Sequence, residues 1–186
     1  SIVKSNLLID SDSAYPSITF TSLAATKILV SEVFDDGKVI VIEPELPLIR
    51  IVENNSFDEN EALAGAAIWG SLLQLEDVGG EYDFNVSTES GGAVQLQGEF
   101  QVSFQGGRFW SNTTSNNGGA LYALGNNSQL SFHQVDFISN EALYSGGAVY
   151  VDYMGSNVLF EGCHLDSNDG TYDYGAGIYA SHYSGL

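Results

Sequence analysis

Basic residues are scarce in this chain: five Lys and Arg stand against 24 Asp and Glu in 186 residues, for a formal net charge of −19. Nucleic acid and anionic membrane surfaces both require a basic footprint, so neither is an expected partner. A single cysteine leaves no internal disulfide framework and no Cys-based zinc cluster. No apolar run approaches the ~18 residues of a transmembrane segment. The sequence opens at Ser1 without Met and without a basic, apolar, small-residue signal pattern. It therefore reads as a processed mature chain or as a piece of something longer.

What is abundant points one way. The chain is 44% hydrophobic and 12% aromatic, with ten Tyr and ten Phe, enough apolar surface to offset the entropy of ordering despite the charge. Its 21 glycines would each cost about 1 kcal/mol in a helix interior, which disfavours a helical bundle. The length suits one domain or two small ones. An all-β fold is expected.

A repeat organises the chain. Phe104 to Asn112 (FQGGRFWSN), Phe132 to Asn140 (FHQVDFISN) and Phe160 to Asn168 (FEGCHLDSN) align without gaps at a spacing of 28. Each is followed by a glycine step, beginning at Gly118 (GGALY), Gly146 (GGAVY) and Gly175 (GAGIY). Two earlier copies, at spacings of 25–27, pair YDFN at Tyr82 with GGAV at Gly91, and FDEN at Phe57 with GAAI at Gly65. Short alternating apolar stretches separated by Gly, Asn and Ser are strand and turn chemistry. A coil of 25–28 residues cannot bury its apolar face alone, so the copies must stack. The expected fold is a right-handed parallel β-helix of about 25–28 residues per coil, with five copies over 54–186 and a divergent first coil and cap over 1–53.

Stacking turns aligned positions into ladders. Phe57, Tyr82, Phe109, Phe137 and Leu165 form one interior column, and Phe104, Phe132 and Phe160 a second. Asn60, Asn85, Asn112, Asn140 and Asn168 form a structural Asn ladder, because Asn tolerates left-handed turns and stacked amides can satisfy one another. The paired glycines mark a corner where positive φ or close backbone approach is needed. Cys163 aligns with Gly107 and Val135 and reads as a buried small hydrophobe. Within residues 1–53, Lys27–Val30, Lys38–Ile42 and Leu48–Val52 read as strands, and Phe34 to Gly37 (FDDG) as a degenerate corner.

The FxxN and GGA-aliphatic alternation resembles the repeat of chlamydial polymorphic outer membrane proteins, with similar repeats in surface proteins of other bacteria, protists and algae. The matching residues are FDEN at Phe57, FWSN at Phe109 and FISN at Phe137, with GGAV at Gly91, GGAL at Gly118 and GGAV at Gly146. The resemblance covers about residues 54–186. LDSN at Leu165 lacks the aromatic, and GAGI at Gly175 is permuted. What the resemblance implies is an extracellular solenoid module of the kind displayed by surface autotransporters, with adhesion attributed to the motifs.

Many β-helices cleave acidic polysaccharides, so an enzyme is the rival reading. Lyases need a base and cations, and the repeat region offers Arg108 alone. Glycosidases need two carboxylates roughly 5–9 Å apart across a groove. The candidates Asp136, Asp152, Asp166, Asp169 and Asp173 scatter around the coil without a pectin-hydrolase cluster. His164 shares an outward slot with Arg108 and Asp136, an alternating-charge ladder suited to surface pairing. His133 aligns with Gln105 and Glu161, and His182 has no evident partner. No zinc triad, calcium-roll repeat or cofactor motif is present, so no metal or cofactor is expected.

After each glycine step, Ile68, Val94, Leu121, Val149 and Ile178 should point inward, and Trp69, Gln95, Tyr122, Tyr150 and Tyr179 outward. Trp69, Tyr122, Tyr150 and Tyr179 are thus a candidate contact stripe, suited to sugar stacking or lateral protein packing. Of four Asn-x-Ser/Thr triplets, Asn54 and Asn126 are the candidate N-glycosylation sites, since Asn85 and Asn112 belong to the ladder. An uncovered solenoid end could stack head to tail on a neighbour. The sequence therefore favours a secreted or cell-surface, non-enzymatic scaffold, adhesin or filament component. Its partners would be other protein subunits or glycans. A carbohydrate-active β-helix enzyme is the alternative.

Overall fold

The computed structural model describes residues 7–10, 17–20, 27–30, 40–42, 48–52, 55–153, 157–172 and 174–182. Among them there is no helix; short parallel strands stack as a β-solenoid of about four turns. Each coil contributes to three sheets. A broad sheet holds the strands after the glycine step: Ile68–Val78, Val94–Gln105, Leu121–Leu124 with Gln129–His133, Val149–Asp152 with Val158–Glu161, and Ile178–Ser181. An aromatic sheet stacks Ser56–Asp58, Glu81–Asp83, Arg108–Trp110, Asp136–Ile138 and His164–Asp166. A third, of two-residue strands, stacks Glu61–Ala62, Val86–Ser87, Thr113–Thr114, Glu141–Ala142 and Asp169–Gly170.

The first residues join the same stack. Leu48–Val52 pairs in parallel with Gln74 to Val78, Lys27–Val30 pairs with Leu48 to Ile51, and Ile40–Ile42 pairs with Ile68 to Gly70. Leu7–Asp10 and Ser17–Phe20 form an antiparallel pair. Phe34 to Gly37, Asn54 and Asp173 lie outside the described residues.

The register is the one that the repeat spacing implies. Phe57, Tyr82, Phe109, Phe137 and Leu165 are direct neighbours on successive strands, as are Phe104, Phe132 and Phe160. Rings stack along the axis at 4.9, 4.5 and 5.1 Å in the first column and at 5.3 and 4.8 Å in the second. The two columns meet edge to face, at 5.4 Å for Phe104–Phe109 and 5.2 Å for Phe132–Phe137. Offset stacks along the axis and T-contacts across it are both favoured aromatic geometries, so the core is locked in two directions. Leu165 keeps its place in the column but is 37% exposed, because no described coil lies beyond it. Cys163 is only partly buried; it packs on the core, and its thiol reaches the Phe132 carbonyl at 3.4 Å.

Every corner turns through a left-handed residue, and one of them differs from expectation. Gly65, Gly91, Gly118, Gly146 and Gly175 carry positive φ at the glycine step. Gly118 needs that freedom, and Gly119 needs another: a Cβ there would overlap the Gly147 carbonyl oxygen of the next coil. At the FxxN corner the left-handed residue is not Asn but the one before it: Glu59, Phe84, Ser111, Ser139 and Ser167, all at φ between 53 and 56°. A third corner, at Gly79, Gly106, Gln134 and Gly162, has no consistent motif and escaped the sequence reading.

Freed from the turn, Asn serves as a hydrogen-bond rung. The Asn112 Oδ1 accepts from the Asn85 backbone N–H at 3.0 Å and from Asn85 Nδ2 at 2.9 Å. Its own Nδ2 donates to Asn140 Oδ1 at 2.9 Å and to the Tyr82 carbonyl at 2.7 Å. The same set repeats from Asn60 to Asn168. Asn85, Asn112 and Asn140 are fully buried. Each amide spends both donors and both acceptor lone pairs on neighbouring coils, which is why burial is tolerated.

One coil breaks the aromatic pattern. Asp77 occupies the slot of Phe104 on the adjacent strand, and Tyr82 the slot of Phe109. Both are buried, and the Tyr82 hydroxyl donates to Asp77 Oδ2 at 2.8 Å. Asp77 Oδ1 has no hydrogen-bond partner. Burial pushes the Asp77 carboxyl up to about 6, against the lowering influence of the Tyr82 hydroxyl and of the Gly80 and Val78 backbone N–H groups. Burial and the nearby carboxylate also raise the Tyr82 phenol well above its ordinary value.

Candidate contact surface

All three faces carry acids: Asp58, Glu81, Asp136 and Asp166 on the aromatic sheet, Glu61, Glu141 and Asp169 on the short sheet, and Glu76, Glu99, Asp152 and Glu161 on the broad sheet. What sets the broad sheet apart is its outward Trp69, Tyr122, Tyr150 and Tyr179, beside a column of Gln74, Gln101, Gln129 and Asn157. Tyr122, Tyr150 and Tyr179 are neighbours on successive strands and stack at 5.2 and 5.1 Å, with interplanar angles of 11° and 21°. Gln95 stands in the column between Trp69 and Tyr122 but is only 4% exposed, so the stripe is three stacked tyrosines with Trp69 set apart. Trp69 itself is half-buried.

That stacking alters what the stripe can do. A ring sandwiched between two others, as Tyr150 is, has both faces covered and presents its edge and hydroxyl. Sugar stacking on exposed ring faces, expected from the sequence, fits Tyr150 poorly; a row of phenol edges fits hydrogen bonding and lateral packing. Burial, then the Asp152 carboxylate, pushes the Tyr150 phenol up to about 12 and raises Tyr122 in the same way. Both therefore stay protonated donors at neutral pH.

Next to this row, His182 is not partnerless. Its Nδ1 lies 2.8 Å from Asp152 Oδ1, and its ring stacks on Tyr153 at 4.5 Å. The Ser181 hydroxyl also meets Nδ1, at 2.8 Å. Serine, histidine and aspartate thus converge without forming a nucleophilic relay, which needs Ser and Asp on opposite ring nitrogens.

Arg108 departs from the expected ladder with Asp136 and His164. Those three share a column, but the guanidinium turns back toward the previous coil. Nη2 meets Asp83 Oδ2 at 2.6 Å and Glu81 Oε2 at 3.2 Å, while Nε meets Asp83 Oδ1 at 3.1 Å. The group also lies 5.4 Å from the Trp110 ring centroid. The Asp83 hydrogen bonds hold its charge more firmly than usual. Asp83 is the buried partner, so Arg108→Gln is expected to cost about 1–2 kcal/mol in urea unfolding, less at high salt. His133 meets Glu161 at 3.0 Å, as the alignment suggested. Phe84 and Trp110, both exposed and 4.8 Å apart, form an aromatic corner that the sequence reading missed.

Asp136 and Asp166 are exposed diagonal neighbours on the outer face of the aromatic sheet. Three surface grooves are lined by residues that include Gln101, Ser131 and Asn157; Thr113 and Glu141; and Gln105, His133 and Glu161. None of these holds two carboxylates. Asn126 is exposed in the turn after Leu121–Leu124, whereas the hydroxyl of Ser128 in the same triplet is buried and donates to the Gly98 carbonyl at 2.9 Å. No group of three or more His, Cys, Asp or Glu side chains that could hold a metal ion occurs among the described residues, and no helix long and apolar enough to cross a membrane is found among them. Family models, curated proteins and solved structures gave no match to this chain.

Proposed function

We propose that this chain is a non-enzymatic, extracellular or cell-surface β-helix that acts as a scaffold, adhesive module or filament component. The reading follows the resemblance of its repeats to those of polymorphic outer membrane proteins. The observation that carries it is the ordered row of stacked tyrosines on the broad sheet, flanked by a column of amides. Tyrosine supplies large, rigid contact area with a hydroxyl at its edge, so the tyrosine row is where a protein subunit or a glycan would meet this molecule.

The test is a binding screen of the isolated protein against immobilised polysaccharides and against itself. Truncating Tyr122 and Tyr150 together to Ala is expected to weaken whatever binding is found by about tenfold or more. Unchanged binding would remove the tyrosine face from the proposal. Release of new reducing ends from any polysaccharide would replace the scaffold with an enzyme.

A further inference from the structure

The tyrosine row has a chemistry of its own, independent of what the face binds. We propose that Tyr122, Tyr150 and Tyr179 form a site of oxidative cross-linking, in which neighbouring phenols on adjacent coils couple to dityrosine under a one-electron oxidant, such as a haem peroxidase turning over hydrogen peroxide.

The geometry is that of a prearranged pair. The side chains leave in-register parallel strands, so they share a direction and stack with centroids 5.2 and 5.1 Å apart. Coupling joins the carbons ortho to the two hydroxyls, and facing rings need only turn about their own axes to bring those carbons together. The rings are half-buried, so their outer edges remain open to an oxidant. Tyr174, 71% exposed, lies 6.3 Å from Tyr179 at 21° and offers an entry point for an electron hole to the row. The interior phenylalanines stack as closely but are not phenols, and Tyr82 is sealed in the core.

The balance is simple. Each phenol gives up one electron to the oxidant and its hydroxyl proton to water. The two radicals pair to form one carbon–carbon bond. The ring hydrogens at the joined carbons then move to the oxygens and restore both phenols. One hydrogen peroxide is reduced to two waters, and the protein loses two hydrogen atoms per cross-link. The product ties one coil covalently to the next, which a hydrogen-bonded stack cannot do for itself.

The experiment oxidises the dilute, folded chain with peroxidase and hydrogen peroxide, then combines intact mass with peptide mapping. The expected result is a monomer lighter by two hydrogens, with Tyr150 joined to Tyr122 or Tyr179. Tyr150→Phe keeps the stack but removes the shared partner, so the intramolecular product should fall by about tenfold or more. A Tyr172→Phe/Tyr174→Phe variant should retain a mapped bond at Tyr150. The proposal is overturned if cross-links form only between molecules or only elsewhere in the chain. It is equally overturned if Tyr150→Phe leaves the intramolecular yield intact, or if oxidation gives no cross-linked monomer.

Discussion

Asn112→Ala is expected to destabilise the fold by about 4–6 kcal/mol, a loss that takes most small β proteins to the edge of unfolding. The size follows from what the side chain holds. Its removal strands the backbone N–H and one amide hydrogen of Asn85, takes a donor from the Tyr82 carbonyl, and leaves Asn140 Oδ1 with only the backbone N–H of residue 112. All lie in a fully buried ladder where water does not readily replace them. Asn168→Ala is the control. That residue makes the same kinds of bond to the Asn140 N–H, the Asn140 amide and the Phe137 carbonyl but sits half-buried on the last described rung, where water can replace it, so its loss should cost about 1–2 kcal/mol. Urea midpoints of the two variants measure the difference. Equal midpoints would mean that the ladder follows the coil geometry and does not hold it.

The second large effect is a gain. Ionising Asp77 inside the core is unfavourable, and its carboxyl stands at about 6 instead of the ordinary 3.8. A carboxyl raised in the folded state binds its proton more tightly there than in the unfolded chain. The stability this contributes is fully present below about pH 4 and is lost as pH rises through about 6. The difference corresponds to about 3 kcal/mol. Asp77→Asn keeps an oxygen to accept from Tyr82 but cannot ionise. It should therefore raise the unfolding free energy at pH 7 by about 2–3 kcal/mol and flatten the profile between pH 4 and 6. Tyr82→Phe should do the reverse at pH 7, costing about 1–3 kcal/mol, since the carboxylate loses its one side-chain donor. Unfolding curves across that pH range would show both; a wild-type profile already flat there would place the carboxyl in contact with water.

Why was so much of this legible, and some of it not? The repeat spacing equals the coil length, so aligning residues in the sequence is the same operation as stacking them in space. Phe109 over Tyr82, Asn112 over Asn85 and Tyr150 over Tyr122 follow directly from that. Features that depend on direction within a coil were hidden. The side chain of Arg108 shares a column with Asp136 but turns diagonally to Asp83, because a buried carboxylate there needs a cation more than an exposed one does. The left-handed residue at the FxxN corner carries no signature, since Glu, Phe and Ser are all used. The Asp77–Tyr82 pair was within reach: Asp77 stands 27 residues before Phe104, and a polar residue in an aromatic slot asks for a partner in the adjoining column. Ring orientation was not within reach, so a stripe that promised open faces turned out to offer edges.

The bonds between coils run along the solenoid axis while the covalent chain runs around it. This makes the molecule mechanically anisotropic. Force applied to whole coils, as when a rod is stretched, loads every rung of an interface at once: the strand ladders, the Asn amides and the aromatic stacks share it. Force applied to the chain as a tape meets the same rungs one after another and peels them singly. Each peeled coil then releases 25–28 residues, about 80–100 Å of slack, before the next begins to bear load. A stack of this kind would resist as a strut yet give way in steps of similar length, dissipating work coil by coil.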